Sequence, residues 1–588
     1  MAQEQQLESI LVADCGSTAT RVSLIDRVGN EFRLLAGAET ATTVEVPWSR
    51  ISTGIRQAIR EIERLTDRTL LDGQEQLIVP ERENASGVDG FVGTVNAAVP
   101  LRVAIVGLMR DLSVESLLRA AETSYVVVQS IVGRGHVAAT DGTQSSMQAL
   151  LKDLLRNGPD AILLGGGVDG SGIAPVLEAA EDLAAALSSR GAGGRIHVVF
   201  AGNKEARPRI AEILGGCSNL HVVDNVLPTL ETEDLRAAEQ EVDRLYREYK
   251  MGRVPGFGEL KAWASAPVLP TAEGFGLVLR YLARMYKLDV FGVDIGGAAT
   301  QVAGVIDGRY DSTLRADLGV SYSIGNVLEE AGIDKLLRWL PFDVEAEEAQ
   351  NCILNKTLRP MTIPETREEL LLEQAAAREA VALTMDRARS TWLSRQSSLR
   401  PGLMPGVDLI VGRGGVLSQA PRPAQAALIL LDAIEPVGVC NLALDKASLL
   451  PQLGALASVQ SLAAAQVVGR DGFLRLGTVI ALAGRGRVGS VALRIKMEYD
   501  DGQTIRVEVP YGALETIPLA PGRKAVVELR PSSQFDVGLG RRGRGATTEV
   551  DGGVLGIIVD ARGRPLSLPE DKTQRCEKIQ EWMWEVGL

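Results

Sequence analysis

The chain has 588 residues, 45% of them apolar and 23% charged, so it can fold on ordinary hydrophobic cores without disulfide staples or a structural metal, and it is too apolar to remain disordered. Its 62 Lys and Arg face 75 Asp and Glu, a formal net charge of −13 that removes the broad attraction to phosphate backbones and anionic lipid. Nucleic acid and membranes are therefore not expected partners.

The first residues, Met1 to Glu8, are polar, with no charged head followed by an apolar run, which predicts a cytoplasmic protein. Five cysteines, at 15, 217, 352, 440 and 576, form no CxxC pair. His136, His197 and His221 have no partner at ligand spacing. Both sets read as structural residues in a reducing compartment.

Along the chain, the first informative element is Leu11 to Val22: an apolar run ending in Asp14, a small turn of Cys15-Gly16-Ser17-Thr18, and a second apolar run. A shift of 280 positions (294 − 14) lays it on Phe291 to Val302, where Asp294, Gly296, Gly297 and Thr300 follow the same pattern. Each copy predicts a β-hairpin followed by a further strand. Small residues let backbone N–H groups approach an anion, and the hydroxyls of Ser17, Thr18 and Thr300 add donors. An Asp at the strand end has the wrong sign for phosphate, so a hydrated cation between them is expected.

Between the copies, the apolar runs 102–107, 125–129, 161–164, 196–200 and 220–223 alternate with helical patterns and predict a parallel sheet. They define an inserted α/β module at about 101–250. Within it Gly165-Gly-Gly-Val-Asp-Gly170 fits a GxGxxG pattern, but no acid closes the next strand, so a close strand–helix turn is preferred to a dinucleotide site. A cobalamin-binding DxHxxG signature is absent.

Pro270 to about Met285 predicts an amphipathic helix carrying Glu273 in its first turn. After the second hairpin, 325–405 turns helical and charged. Asp408 to Val416 reads as a buried strand ending in the glycine turn Gly412-Arg413-Gly414-Gly415, where a flat ring can lie against backbone. Asp445 and Leu450 to Ala457 open a small-residue helix able to pack closely on the helix from 272. From 467 short alternating runs predict a β-rich domain, with Gly540 to Gly545 as one basic loop.

The order hairpin, small helix, hairpin, glycine turn, small helix resembles the five-segment ATPase signature shared by actin, DnaK-type chaperones and the acetate and sugar kinases. That resemblance implies an α/β protein with a duplicated actin-like (ribonuclease H-like) core. Domain I would span 1–288 with the inserted module, domain II 289–466 with a helical subdomain at 325–405, and the β-rich domain 467–588. ATP and magnesium would lie between two segments, Asp14, Gly16, Ser17 and Thr18 on one side and Asp294, Gly296, Gly297 and Thr300 on the other. Asp14 and Asp294 would hold magnesium through water, and Gly412, Gly414 and Gly415 would face the adenosine. Glu273 is the candidate for orienting the attacking water, and Cys15 is expected to point away into the core.

Over about residues 8–465 the same motifs, with Ala201 to Ala206 and Leu372 to Ala380, resemble the MutL-type proteins associated with adenosylcobalamin-dependent glutamate mutase, which are distinct from the mismatch-repair ATPase of that name. This resemblance implies a Mg-dependent ATPase that reactivates or protects a mutase subunit. The alternatives are a small-molecule kinase of the same fold, or an actin-like polymer or scaffold; association between copies of the chain is left open.

Overall fold

The computed structural model describes residues 7–133, 147–189, 195–393 and 403–588; residues 1–6 of the polar N-terminus, His136 and the end of the 325–405 stretch between 394 and 402 lie outside the described residues. The chain forms two compact units, one of residues 1–97, 255–312 and 317–588, the other of residues 98–254 and 313–316. No helix among the described residues is long and apolar enough to cross a membrane.

The first unit is built on a duplication. Its first sheet runs in the order Leu269–Pro270, Gly90–Val95, Ser9–Cys15, Ala19–Val28, Glu31–Ala41. The hairpin strands Ser9–Cys15 and Ala19–Val28 are antiparallel, and Gly90–Val95 joins parallel on the other side. The second sheet repeats the plan, with Gly438–Leu444, Leu409–Arg413, Val290–Ile295, Thr300–Ile306 and Arg309–Arg315 in the same relative places. The repeat holds at the level of single pairs: Asp14 lies opposite Arg21 and Asp294 opposite Gln301. Both turns close by the same bond, Gly16 N–H to the Ala19 carbonyl at 2.9 Å and Gly296 N–H to the Ala299 carbonyl at 2.8 Å. The core is a duplicated actin-like, ribonuclease H-like α/β arrangement.

Ser9–Cys15 and Val290–Ile295 are buried at every position, as strands covered on both faces must be. One cover of the first sheet is the helix Ile51–Thr66, which presents Ile51, Ile55, Ala58, Ile59 and Ile62 along one stripe. The second sheet is backed by the helices Arg367–Leu393 and Pro423–Ile434. Between the two sheets lies a shared core, in which Ile10, Val12 and Val92 of one and Val290, Ala303 and Val411 of the other meet Phe275 and Leu279 of the helix Thr271–Tyr286 and Leu453 of the helix Leu450–Leu456.

Downstream, Leu474–Ala481, Ile557–Asp560 and Leu514–Ile517 continue the second sheet to eight strands. A separate four-stranded antiparallel sheet holds Thr504–Pro510, Val491–Tyr499, Lys524–Pro531 and Ala546–Asp551. A buried ion network ties this end of the chain down. Asp560 accepts from Arg562 at 2.8 Å and Arg564 at 2.5 Å, while Asp432 accepts from Arg378 at 2.8 Å and Arg562 at 2.7 Å.

The second unit is an all-parallel five-stranded sheet in the order Val126–Gly133, Leu101–Gly107, Ala161–Gly165, His197–Phe200, Asn219–Val222. Numbered by position in the chain this is 2-1-3-4-5, the flavodoxin-like order. The turn after Ala161–Gly165 is tied to the next loop: Asp169 accepts from the Lys204 N–H and from Asn225, and Glu205 accepts from the Gly170 N–H.

Candidate functional site

The two acidic strand ends come together within the first unit. Asp14 is the last residue but one of Ser9–Cys15 in the first sheet and Asp294 the last but one of Val290–Ile295 in the second, where Leu409–Arg413 lies alongside and Arg413 is the register partner of Asp294. Its guanidinium donates to Asp14 Oδ2 at 2.6 Å through Nη2, and to Asp294 Oδ2 through Nη1. Its Nε is 3.5 Å from Asp445 Oδ2. All four are buried, with relative exposures of 2% for Asp14, 9% for Asp294, 4% for Arg413 and 0% for Asp445, so the ion pairs are little screened by water.

Each charge has further support. Asp14 Oδ1 accepts from Thr94 Oγ1 at 2.8 Å and from Thr271 Oγ1 at 2.7 Å. Asp445 accepts from the Leu449 and Leu450 N–H groups at the start of the helix Leu450–Leu456. Burial pushes the Asp445 carboxyl up to about 6, against the pull of Arg413 and the two amides. Burial also opposes the Arg413 charge, but Asp294, Asp14 and Asp445 together hold its pKa above the ordinary arginine value.

The turns of the two hairpins also touch. A Cβ on Gly297 would lie 2.5 Å from the Thr18 methyl and 3.3 Å from its hydroxyl, so Thr18 packs directly on the second turn. Gly16, Ser17, Thr18, Gly296 and Gly297 are all half-buried. Thr300 stands apart: in register with Ile295, it falls on the face opposite Asp294, fully buried, and its hydroxyl has no hydrogen-bond partner. Thr20 repeats this in the first hairpin, as register partner of Cys15. Cys15 is fully buried on that inner face, and burial, then the Asp14 charge, raises its thiol pKa.

The glycine turn has three different surroundings. A Cβ on Gly412 would meet Leu430, Leu444 and Leu417 of the core, whereas Gly415 faces open space. Gly414 has φ +110°, and a Cβ there would lie 2.0 Å from the Ile295 carbonyl oxygen, so only glycine lets this turn press on the second hairpin. Glu273 is half-buried in the first turn of its helix. Its charge, after burial the larger cause, helps raise the pKa of Tyr310. The residue of that helix that reaches the carboxylates is Thr271.

The expected place of a hydrated cation is thus where Arg413 stands. With both Asp14 oxygens taken by Thr94, Thr271 and Arg413, and Asp294 bound to the same guanidinium, the carboxylates as arranged do not fit a divalent ion. Among the described residues no group of three or more His, Cys, Asp or Glu could hold a metal. Thr94 and Thr271 carry no signal of this role, and Arg413 lies in the turn read for its glycines, yet one signal was present in the sequence: an arginine closing an apolar strand has to find buried acids.

In the second unit, His197 Nδ1 and His221 Nε2 are 2.9 Å apart, and Glu241 is 2.9 Å from His221 Nδ1. Burial, the largest cause for both, lowers the two imidazole pKa values.

Comparison with known proteins places these features in context. A curated relative, Protein MutL of Clostridium tetanomorphum, is 28% identical over 454 residues, spanning 71% of this chain and 88% of its own length. Among solved structures, nucleotide-free acetone carboxylase matches with 13% identity over 88% of this chain and 82% of that one, at a TM-score of 0.30. A glycerol dehydratase reactivase matches with 11% identity over 77% of this chain and 100% of that one, at a TM-score of 0.28. The MutL protein family model matches residues 10–471, and the chain belongs to that family.

Proposed function

We propose that this protein is an ATP-dependent reactivating or protective chaperone for an adenosylcobalamin-dependent mutase such as glutamate mutase, driven by nucleotide-dependent parting and closing of its two hairpins. The observation that carries the reading is the meeting of the matched turns, Thr18 on Gly297, beside a buried cluster that joins both hairpins through Arg413. Membership of the MutL family supports a mutase as the partner.

A triphosphate offers negative charge that small-residue turns can meet with backbone N–H groups and with the Ser17 and Thr18 hydroxyls. To admit it, Thr18 and Gly297 must separate. The closed and parted arrangements then differ in affinity for nucleotide, and only that difference can shift the balance between them. Loss of the γ-phosphate removes contacts and lets the turns close again. The two sheets share one core through the helices Thr271–Tyr286 and Leu450–Leu456, so a change at the turns reaches the backbone of both halves. A partner seated on those halves would feel it.

The test is phosphate release from ATP by the full chain, with and without a purified adenosylcobalamin-dependent mutase inactivated by turnover. Stimulated release together with recovery of mutase activity is the expected result. Transfer of labelled phosphate to a small metabolite, or ATP-dependent light scattering with no effect on the mutase, would replace this reading with a kinase or a polymer.

A further inference from the structure

The buried cluster at the hairpins has the wrong occupant for a metal site. Two carboxylates at the ends of matched strands are the donors a hard divalent cation takes, and such an ion demands oxygen ligands with free lone pairs. Here the guanidinium already holds one oxygen of each carboxylate, Asp14 Oδ2 and Asp294 Oδ2. Asp14 takes two hydroxyl donors on one oxygen and a guanidinium on the other. Asp294 faces the second arm of the same guanidinium. A planar fork that reaches two carboxylates at once is a task for arginine and not for lysine.

We propose that Arg413 is the resident cation of this site: its guanidinium bridges Asp14 and Asp294 in place of a divalent ion, so the hairpins carry no metal of their own. The position of Arg413 enforces the arrangement. It is the last residue of a strand hydrogen-bonded beside Val290–Ile295 and in register with Asp294. Gly414, pressed on the Ile295 carbonyl, fixes where that strand ends. A third carboxylate, Asp445, follows the neighbouring strand, and its N–H donates to the Gly412 carbonyl. Removing the guanidinium would therefore leave Asp14, Asp294 and Asp445 buried without their shared counter-charge, and a divalent ion would replace it by drawing their oxygens closer together than they now stand. A divalent ion arriving with a nucleotide would be held by the phosphates and water, not by these carboxylates.

The proposal does not depend on the functional reading above, because its test uses no nucleotide. Mn²⁺ serves as the probe, and its free signal is followed by electron paramagnetic resonance as the full chain is added. The wild type is expected to leave the signal undiminished, and Arg413→Gln to remove one equivalent of Mn²⁺, with a rise in melting temperature on Mn²⁺ addition that the wild type lacks. Uptake of one equivalent by the wild type, lost in Asp14→Asn, would overturn the proposal. So would a folded Arg413→Gln protein that takes up none. Should that variant fail to fold, the wild-type titration decides alone: no uptake upholds the proposal and Asp14-dependent uptake overturns it.

Discussion

Gly454 and Gly274 meet backbone to backbone: a Cβ on Gly454 would lie 2.0 Å from the Gly274 carbonyl oxygen, and one on Gly274 would lie 2.4 Å from that of Pro451. The helices that carry them fill the core shared by the two sheets, so their spacing sets how the hairpins stand. Gly454→Ala is expected to lower folding stability by about 1–3 kcal/mol through overpacking. Gly415→Ala, with open space around it, is the control and should stay within about 0.5 kcal/mol of wild type. Urea denaturation of the two variants checks this.

Gly414→Ala combines two faults. The backbone sits at φ +110°, and the added methyl would collide with the Ile295 carbonyl. Strain of this kind costs about 1–3 kcal/mol before any clash is counted. The larger consequence is positional: the end of the glycine strand must lift, drawing Arg413 away from Asp294. Native-state hydrogen exchange should show faster exchange in Val290–Ile295 and Leu409–Arg413 than in the first hairpin.

Asp445 makes a pH dependence with a definite sign. Its folded pKa is pushed up to about 6 from 3.8, chiefly by burial, so between those values the folded state holds a proton that the unfolded state has released. Its contribution to stability is therefore present at low pH and lost as pH rises, over a range of order 3 kcal/mol between about pH 4 and pH 6. In Asp445→Asn this contribution is missing. The stability of wild type minus that of the variant should fall across that window and then level off, as followed by denaturant titrations at fixed pH values.

Asp560 behaves in the opposite way. Burial pushes its pKa up, but Arg562 and Arg564 outweigh burial and hold the carboxyl below the ordinary range, so its contribution is present above 3.8 and lost as pH falls. Asp560→Asn would leave two buried guanidinium groups without their shared partner, and a loss of about 3–5 kcal/mol is expected at neutral pH. Arg562 keeps Asp432 as a partner. Substituting Asp432 as well should therefore deepen the loss, and a double-mutant cycle measures by how much.

Much of the fold was legible because it is a repeat. One pattern of Asp, glycine and hydroxyl residues occurs at 14–20 and again at 294–300, and the structure reproduces it pair by pair. The glycines at 274 and 454 announced a close helix contact for the simple reason that nothing larger fits. The site was harder to read. Which face Thr300 takes depends on strand register, and the period-two alternation turns it away from Asp294. Arg413 sat inside a motif read for its glycines. Its role appears only once parallel pairing sets it beside Asp294 and brings Asp14 from almost four hundred residues away. Thr94 and Thr271 have no local signal at all, since a single threonine is common in strands and helix starts.

The central claim is that the two turns together hold a triphosphate, and calorimetry of the full chain with ATP tests it most directly. The wild type is expected to give a saturable heat for one equivalent. Thr18→Asp and Gly297→Asp, each placing a carboxylate at one of the two turns that touch, should both abolish it; Thr18→Asp should leave the melting curve in place, whereas Gly297→Asp, whose Cβ must displace the Thr18 methyl, should melt at a lower temperature but still fold. A wild type with no heat of binding, or either variant binding ATP as well as the wild type, would contradict the account.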